Sequence, residues 1–135
     1  MSLDQTLTTQ AKFVALQQLA TGTLKIALYT AAANINADTL AYTTTNEVVG
    51  TGYVAGGKIL TGVTVSKSGT TAYLDFANVT WDPANFTARG ALIYNTSLGN
   101  LAVAVLDFGA DKTATTTFTV QMPENNSTSA LIRFA

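Results

Sequence analysis

The hydrophobic period of this chain changes once, at Gly22, and that change limits what it can fold into. Beyond it, apolar residues recur every second position. Leu24, Ile26 and Leu28 alternate with Lys25, Ala27 and Tyr29, which predicts a first strand. Further strands are expected at Lys58–Ser66 and Thr71–Asn78, paired as a hairpin about Ser68-Gly69, with Val79 and Trp81 extending the second after a bulge. Asp82-Pro83 marks a turn, and Phe86–Tyr94 follows as a strand. Asn95–Asn100 and Gly109–Lys112 read as turns around Leu101–Phe108. That segment is so continuously apolar that a central strand, covered on both faces, is expected. Thr115–Met122 and Ser129–Phe134 complete the pattern. Seven to eight strands separated by Gly- or Asn-bearing turns predict a mainly β protein: an antiparallel, jelly-roll-like β-sandwich with one N-terminal helix. A chain of 135 residues with no internal repeat or linker reads as a single domain over 1–135.

The helix is expected over about residues 3–20, started by a capping box from Ser2 to Gln5 and stopped at Gly22. Phe13, Leu16 and Ala20 share one side, while Leu7, Ala11, Val14 and Ala15 gather nearer the other. Two arrangements fit this wide apolar arc. The helix lies between its own sheet and a neighbouring molecule, or it packs on its own sheet with small residues left in water. Residues 31–57 form a long connection rich in Ala, Asn, Thr and Gly. Connections of that length usually carry contacts or function.

Composition removes much chemistry. Cys is absent, which excludes disulfides, thiol nucleophiles and Cys-ligated metals. His is absent too, and with it the usual general base and the commonest transition-metal ligand. Seven basic and eight acidic residues leave a net charge of −1, and the scattered cations make no footprint for nucleic acid. With charged residues at 11% of the chain, electrostatic protection against self-association is weak, which fits a protein that works packed beside partners. No apolar stretch reaches the length of a membrane span. The polar, acidic start does not read as a signal peptide, so synthesis in a cytoplasm is expected.

The remaining constellations are weak as chemistry. Asp75 and Asp107 lie near strand positions, but Asp75 is expected on a solvent face and Asp107 at a strand end, so no catalytic pair is assigned. Asp107, Gly109 and Asp111 loosely resemble a calcium loop, yet Lys112 follows at once and no metal is assigned. Gly52 through Gly57-Lys58 matches the glycine and lysine spacing of a phosphate loop. Ile59 stands where the hydroxyl is required, and a strand follows instead of a helix. No cofactor is expected. Asn-x-Ser/Thr triplets at Asn78, Asn85, Asn95, Asn125 and Asn126 are ordinary in a chain with this much Thr. Arg89, a long cation among small neighbours, is expected to anchor an ion pair, with Glu47 as its candidate partner. Phe13, Tyr53 and Trp81 join Arg89 and Glu47 as candidate interface or loop-anchoring residues.

Several segments together resemble a known group. They are Thr21-Gly22, Ile26-Ala27-Leu28-Tyr29-Thr30, Asn46-Glu47-Val48-Val49-Gly50-Thr51-Gly52-Tyr53, Gly56-Gly57-Lys58, Phe86-Thr87-Ala88-Arg89-Gly90-Ala91 and Val105-Leu106-Asp107-Phe108-Gly109. The chain resembles, over nearly its whole length, a widespread group of small virion structural proteins of tailed bacteriophages. The resemblance implies a non-enzymatic protein located in the virion. Its expected role is capsid decoration, as a cement bound outside the assembled shell. A tail, fibre or baseplate module touching the host surface is the alternative, and a carbohydrate-binding module the second. The implied partners are the major capsid protein and copies of the chain itself, as a trimer, with a host-surface glycan if the protein belongs to the tail. Nucleic acid and membrane are not expected partners.

Overall fold

The computed structural model describes residues 2–135. Its one α-helix, α1, runs from Thr9 to Leu19, shorter than the expected 3–20. The start is set by Thr8, whose backbone is extended and whose hydroxyl accepts the Ala11 N–H at 3.2 Å. The expected Ser2–Gln5 capping box does not form; residues 2–8 are exposed and outside any element. Thr6 and Thr8 weaken helix propensity there, and the Thr8 hydroxyl supplies the cap instead. Leu16 is buried in the core, and Lys12, also buried, donates through Nζ to the Thr70 carbonyl at 2.9 Å.

Nine strands follow, rather than seven to eight: β1 Leu24–Tyr29, β2 Lys58–Ile59, β3 Thr64–Ser68, β4 Thr71–Asp75, β5 Val79–Trp81, β6 Phe86–Asn95, β7 Leu101–Ala114, β8 Phe118–Val120 and β9 Ile132–Phe134. All pairings are antiparallel. They build a four-stranded sheet β2-β1-β6-β7, a three-stranded sheet β3-β4-β9 and a two-stranded sheet β5-β8. The β3–β4 hairpin forms as the Ser68-Gly69 signal predicts, with Ser68 opposite Thr71. The single strand expected at Lys58–Ser66 is split between two sheets. Gly62, at φ +62°, turns the chain there, and its glycine sits against Ala77, where a Cβ would come within 2.9 Å. The alternation of Ile59, Val63 and Val65 reads straight through that turn, which is why periodicity misses it.

Three further expectations are corrected. Leu101–Phe108 is not a central strand: β7 is an edge strand, half-buried along Ala102–Leu106. The central position goes to β6, buried on both faces from Gly90 to Asn95. A continuous apolar run reports cover on both faces, and a loop covers a face as well as a sheet does. Gly109–Lys112 is not a turn but part of β7, where Phe108–Asp111 bulge opposite Arg89 alone. Asp75 is buried, not solvent-facing. Its Oδ1 accepts the Phe76 N–H at 2.8 Å, and Oδ2 is the one buried side-chain oxygen without a partner among the described residues.

One face of the four-stranded sheet, through Ile26, Leu28, Ala91 and Ile93, packs with Leu16 of α1, Leu74 of β4, Trp81 of β5 and Phe118 of β8. This gives a sandwich-like arrangement around a single main core. The opposite face carries Ala27, Tyr29, Leu92 and Tyr94 in a second, smaller cluster. The 31–57 connection covers it with Ala33, Ile35 and Tyr42. Asn95, fully buried, closes the helix end: Nδ2 donates to the carbonyls of Leu19 and Thr21, and Oδ1 accepts the Ser97 N–H. The triplet Asn95-Thr96-Ser97 is thus a structural joint.

The connection lies so close to β1 that a Cβ on Gly57 would come within 1.8 Å of the Ile26 carbonyl oxygen, at a φ of +80°. Gly69, at φ +61°, has open space instead. Gly69→Ala is therefore expected to lose about 1 kcal/mol from left-handed strain alone. Gly57→Ala should lose several times as much, because backbone must move. Urea unfolding of the two variants measures the contrast; equal losses would refute the close packing at Gly57.

Candidate functional site

The edge of β1 away from β6 needs a partner for every outward N–H and C=O. Two short pieces of chain supply most of it. Leu60 N–H donates to the Leu24 carbonyl and β2 pairs alongside, while at the other end Val48 N–H donates to the Leu28 carbonyl and Thr30 N–H to the Asn46 carbonyl. Between them the chain departs through residues 49–57, and a side chain fills the gap. The Tyr53 hydroxyl accepts the Leu28 N–H at 3.0 Å and donates to Oε2 of Glu47. Glu47 is buried, and its other bonds come from the Tyr42 hydroxyl to Oε1 at 2.6 Å and the Gly56 N–H to Oε2 at 2.8 Å. The Tyr94 hydroxyl donates to the Gly56 carbonyl at 2.7 Å, and the Tyr42 and Tyr94 rings stack with centroids 4.6 Å apart.

This cluster holds its phenols neutral. Burial first, and then the hydrogen bond to Glu47, push the Tyr42 and Tyr53 hydroxyls far above the usual phenol range. Burial and the Glu47 charge raise Tyr94, and burial raises Tyr29 to about 12.

The sequence-predicted residues are placed as follows. Glu47 and Tyr53 meet and pin the connection from inside; they present almost no surface. Trp81 is 1% exposed and belongs to the core, with Lys58 5.8 Å above its ring. Phe13 is half-buried against the core under Lys67. The pairing of Arg89 with Glu47 is corrected. Arg89 sits 3.8 Å from Asp107 and 3.9 Å from Asp111, half-exposed, while the Glu47 oxygens are engaged by tyrosines and a backbone N–H. The bulge of β7 brings both aspartates to the arginine, and Glu47 lies across the β1 edge instead.

The same arrangement accounts for the other constellations. The two carboxylates of the calcium-like spacing flank the Arg89 guanidinium. No group of three or more acidic side chains gathers to hold a metal among the described residues. Lys58, the lysine of the phosphate-loop spacing, begins β2 and donates to the Thr80 carbonyl at 2.6 Å. Asp75 and Asp107 lie on different sheets, one buried and one exposed. A cleft of about 260 Å³ lies beside Arg89, lined by Tyr29, Thr30, Ile35 and Asp107, and Asp75 is not part of it. No helix of the described residues is long and apolar enough to cross a membrane.

Outside, the connection displays aliphatic side chains. Val49 is 94% exposed and Leu40 82%, with Val54 and Ile59 of β2 also uncovered. Sequence reading passed over these residues and over Tyr42. The available signal was Glu47, the one charged residue between Asp38 and Lys58, with a tyrosine on each side, at Tyr42 and Tyr53. Comparison of the chain with protein-family models, with curated proteins and with solved structures returns no match.

Two expected outcomes separate the anchors. Glu47→Gln places an amide N–H₂ against buried donors and should cost about 2–3 kcal/mol in urea unfolding, whereas Arg89→Ala removes only long, half-exposed contacts and should cost under about 1 kcal/mol. The reverse order would refute the internal clamp. Alkaline pH gives the second. An unfolded tyrosine ionises near 10 and folded Tyr29 near 12, so the unfolded chain releases its proton first. Stability is full below about pH 10 and falls from there toward about pH 12. Phenolate absorbance of these buried tyrosines should rise together with the loss of circular dichroism; titration well before unfolding would contradict it.

Proposed function

We propose that this protein is a non-enzymatic structural component of a phage virion, a decoration protein that binds the outside of the assembled shell and stabilises it. One observation carries the reading: Leu40, Val49 and Val54 stand exposed along a connection whose backbone is pinned from beneath by the Glu47 cluster, and Ile59 of β2 is exposed just after it. Exposed aliphatics normally invite disorder or aggregation, but on a fixed backbone they dock with little ordering cost. The low charge density suits a surface that lies against neighbours in many copies. The reading also rests on the resemblance of segments such as Asn46–Tyr53 and Phe86–Ala91 to phage structural proteins.

The mechanism is mass action. A protein that binds the assembled shell and not its free subunits shifts the equilibrium toward assembly. Repetition over the shell makes modest single contacts collectively strong. The major capsid protein and neighbouring copies are the partners in this reading.

Copy number per purified particle tests it. A ratio near one per shell subunit supports decoration; a ratio of a few per hundred moves the protein to the tail. The surface is tested by Val49→Asp combined with Val54→Asp. Both side chains are exposed, so thermal unfolding should be unchanged, while shell occupancy at fixed concentration should fall roughly tenfold or more. Unchanged occupancy would remove this surface from the contact.

A further inference from the structure

Two more apolar features are left uncovered, at different places on the same chain. One is the arm before α1. Residues 2–8 belong to no element, and Leu3 is 73% and Leu7 51% exposed. The other is an open trough of about 670 Å³ between the C-terminal half of α1 and the turn joining β6 to β7. Ala15, Gln18, Leu19, Thr21, Leu98 and Leu101 line it, none of them charged, and Leu98 and Leu101 are themselves exposed.

We propose that the N-terminal arm of one copy of this chain seats in the α1–β7 trough of a second copy. The arm is patterned for it. In a strand-like conformation Leu3, Gln5 and Leu7 share one face, while Asp4 and Thr6 share the other. The two leucines are then about 13 Å apart and enter one apolar trough together, and Asp4, the arm's charge, stays in water. The trough's own amide, at Gln18, is available to the amide of Gln5.

The occupant is a second copy because of how the arm leaves its own helix. The trough begins at Ala15, more than a turn beyond the helix start. To reach it, the arm must reverse at Thr8 and run back along α1. Thr8 caps α1 through the Ala11 N–H, and on the single chain the arm does not run back: the trough stays open. Both leucines accordingly stay uncovered on the single chain.

Arm and trough are different patches, so the contact is head-to-tail: it closes into a ring or continues as a chain, according to the rotation it imposes. With a net charge of −1, copies of the chain do not repel one another strongly. The contact joins copies of this protein and stands whether or not a shell is the further partner.

A chain without cysteine makes the test direct. Leu3→Cys and Leu98→Cys are prepared as separate full-length proteins, mixed, and oxidised. The disulfide between the two different variants should exceed both like-with-like products several-fold, read by non-reducing electrophoresis and mass spectrometry. A statistical mixture overturns the proposal. So does the double variant Leu3→Cys/Leu98→Cys closing within single chains. Light scattering supplies the second reading: the unaltered protein should exceed monomer mass, and Leu3→Asp with Leu7→Asp should return it to monomer with unchanged thermal unfolding. A monomeric unaltered protein at high micromolar concentration overturns the proposal equally.

Discussion

The hydrogen bond network between Glu47, Tyr53 and the edge of β1 decides where the rest of the chain goes. A strand edge buried under a loop cannot leave its polar groups unpaired. Here Leu28 has its carbonyl satisfied by Val48 and its N–H by the Tyr53 hydroxyl. Tyr53 must then donate, and Glu47 is the acceptor. The carboxylate in turn is held by Tyr42 and Gly56. A tyrosine side chain thus replaces one rung of a ladder, and the two pieces of chain at residues 46–48 and 58–60 act as one interrupted strand. The buried charge has hydrogen-bond donors around it, where an unpaired one would be costly.

Two consequences follow for the fold. First, the connection becomes a wall. Held at Glu47 and threaded through Gly57 past the Ile26 carbonyl, it covers Tyr29 and Tyr94 and gives the four-stranded sheet a second buried face. β1 and β6 are buried on both sides, and β7 can be an edge while its sequence reads as interior. Second, the outer side of that wall is fixed, so Val49 and Val54 are displayed on ordered backbone. The edge itself is blunted by the β7 bulge at Arg89, with Asp107 and Asp111 beside it, which discourages indiscriminate strand pairing.

Much of the secondary structure was legible. Alternation in Leu24–Tyr29, the turn-bounded segment Phe86–Tyr94 and the Ser68-Gly69 turn describe purely local preferences, and they formed as strands and hairpin. The failures share a cause. The break at Gly62, the burial of Asp75 and the edge position of β7 each depend on what lies opposite, which no window of sequence contains. The helix start failed differently. Ser2-Gln5 and Thr8 are both local signals, and the later one won because threonines depress helix formation before it. Of the candidate site residues, Glu47 and Tyr53 were legible as important but not as partners. Arg89 was given the wrong acid because Asp107 and Asp111 reach it only through a bulge.

The sequence by itself determined the class: a mainly β, antiparallel protein with one short helix, without thiol or imidazole chemistry and with little charge. Periodicity and composition are properties of the chain that no packing can alter. The tertiary structure alone decided which acid pairs with which donor, which strand lies at the centre, and which side chains remain in water. Those depend on long-range contacts such as Tyr53 to Leu28 and Tyr94 to Gly56, where residues 25 and 38 positions apart are brought within hydrogen-bond distance. Such pairings follow from completing every buried polar group at once, a condition on the whole molecule rather than on any segment of it.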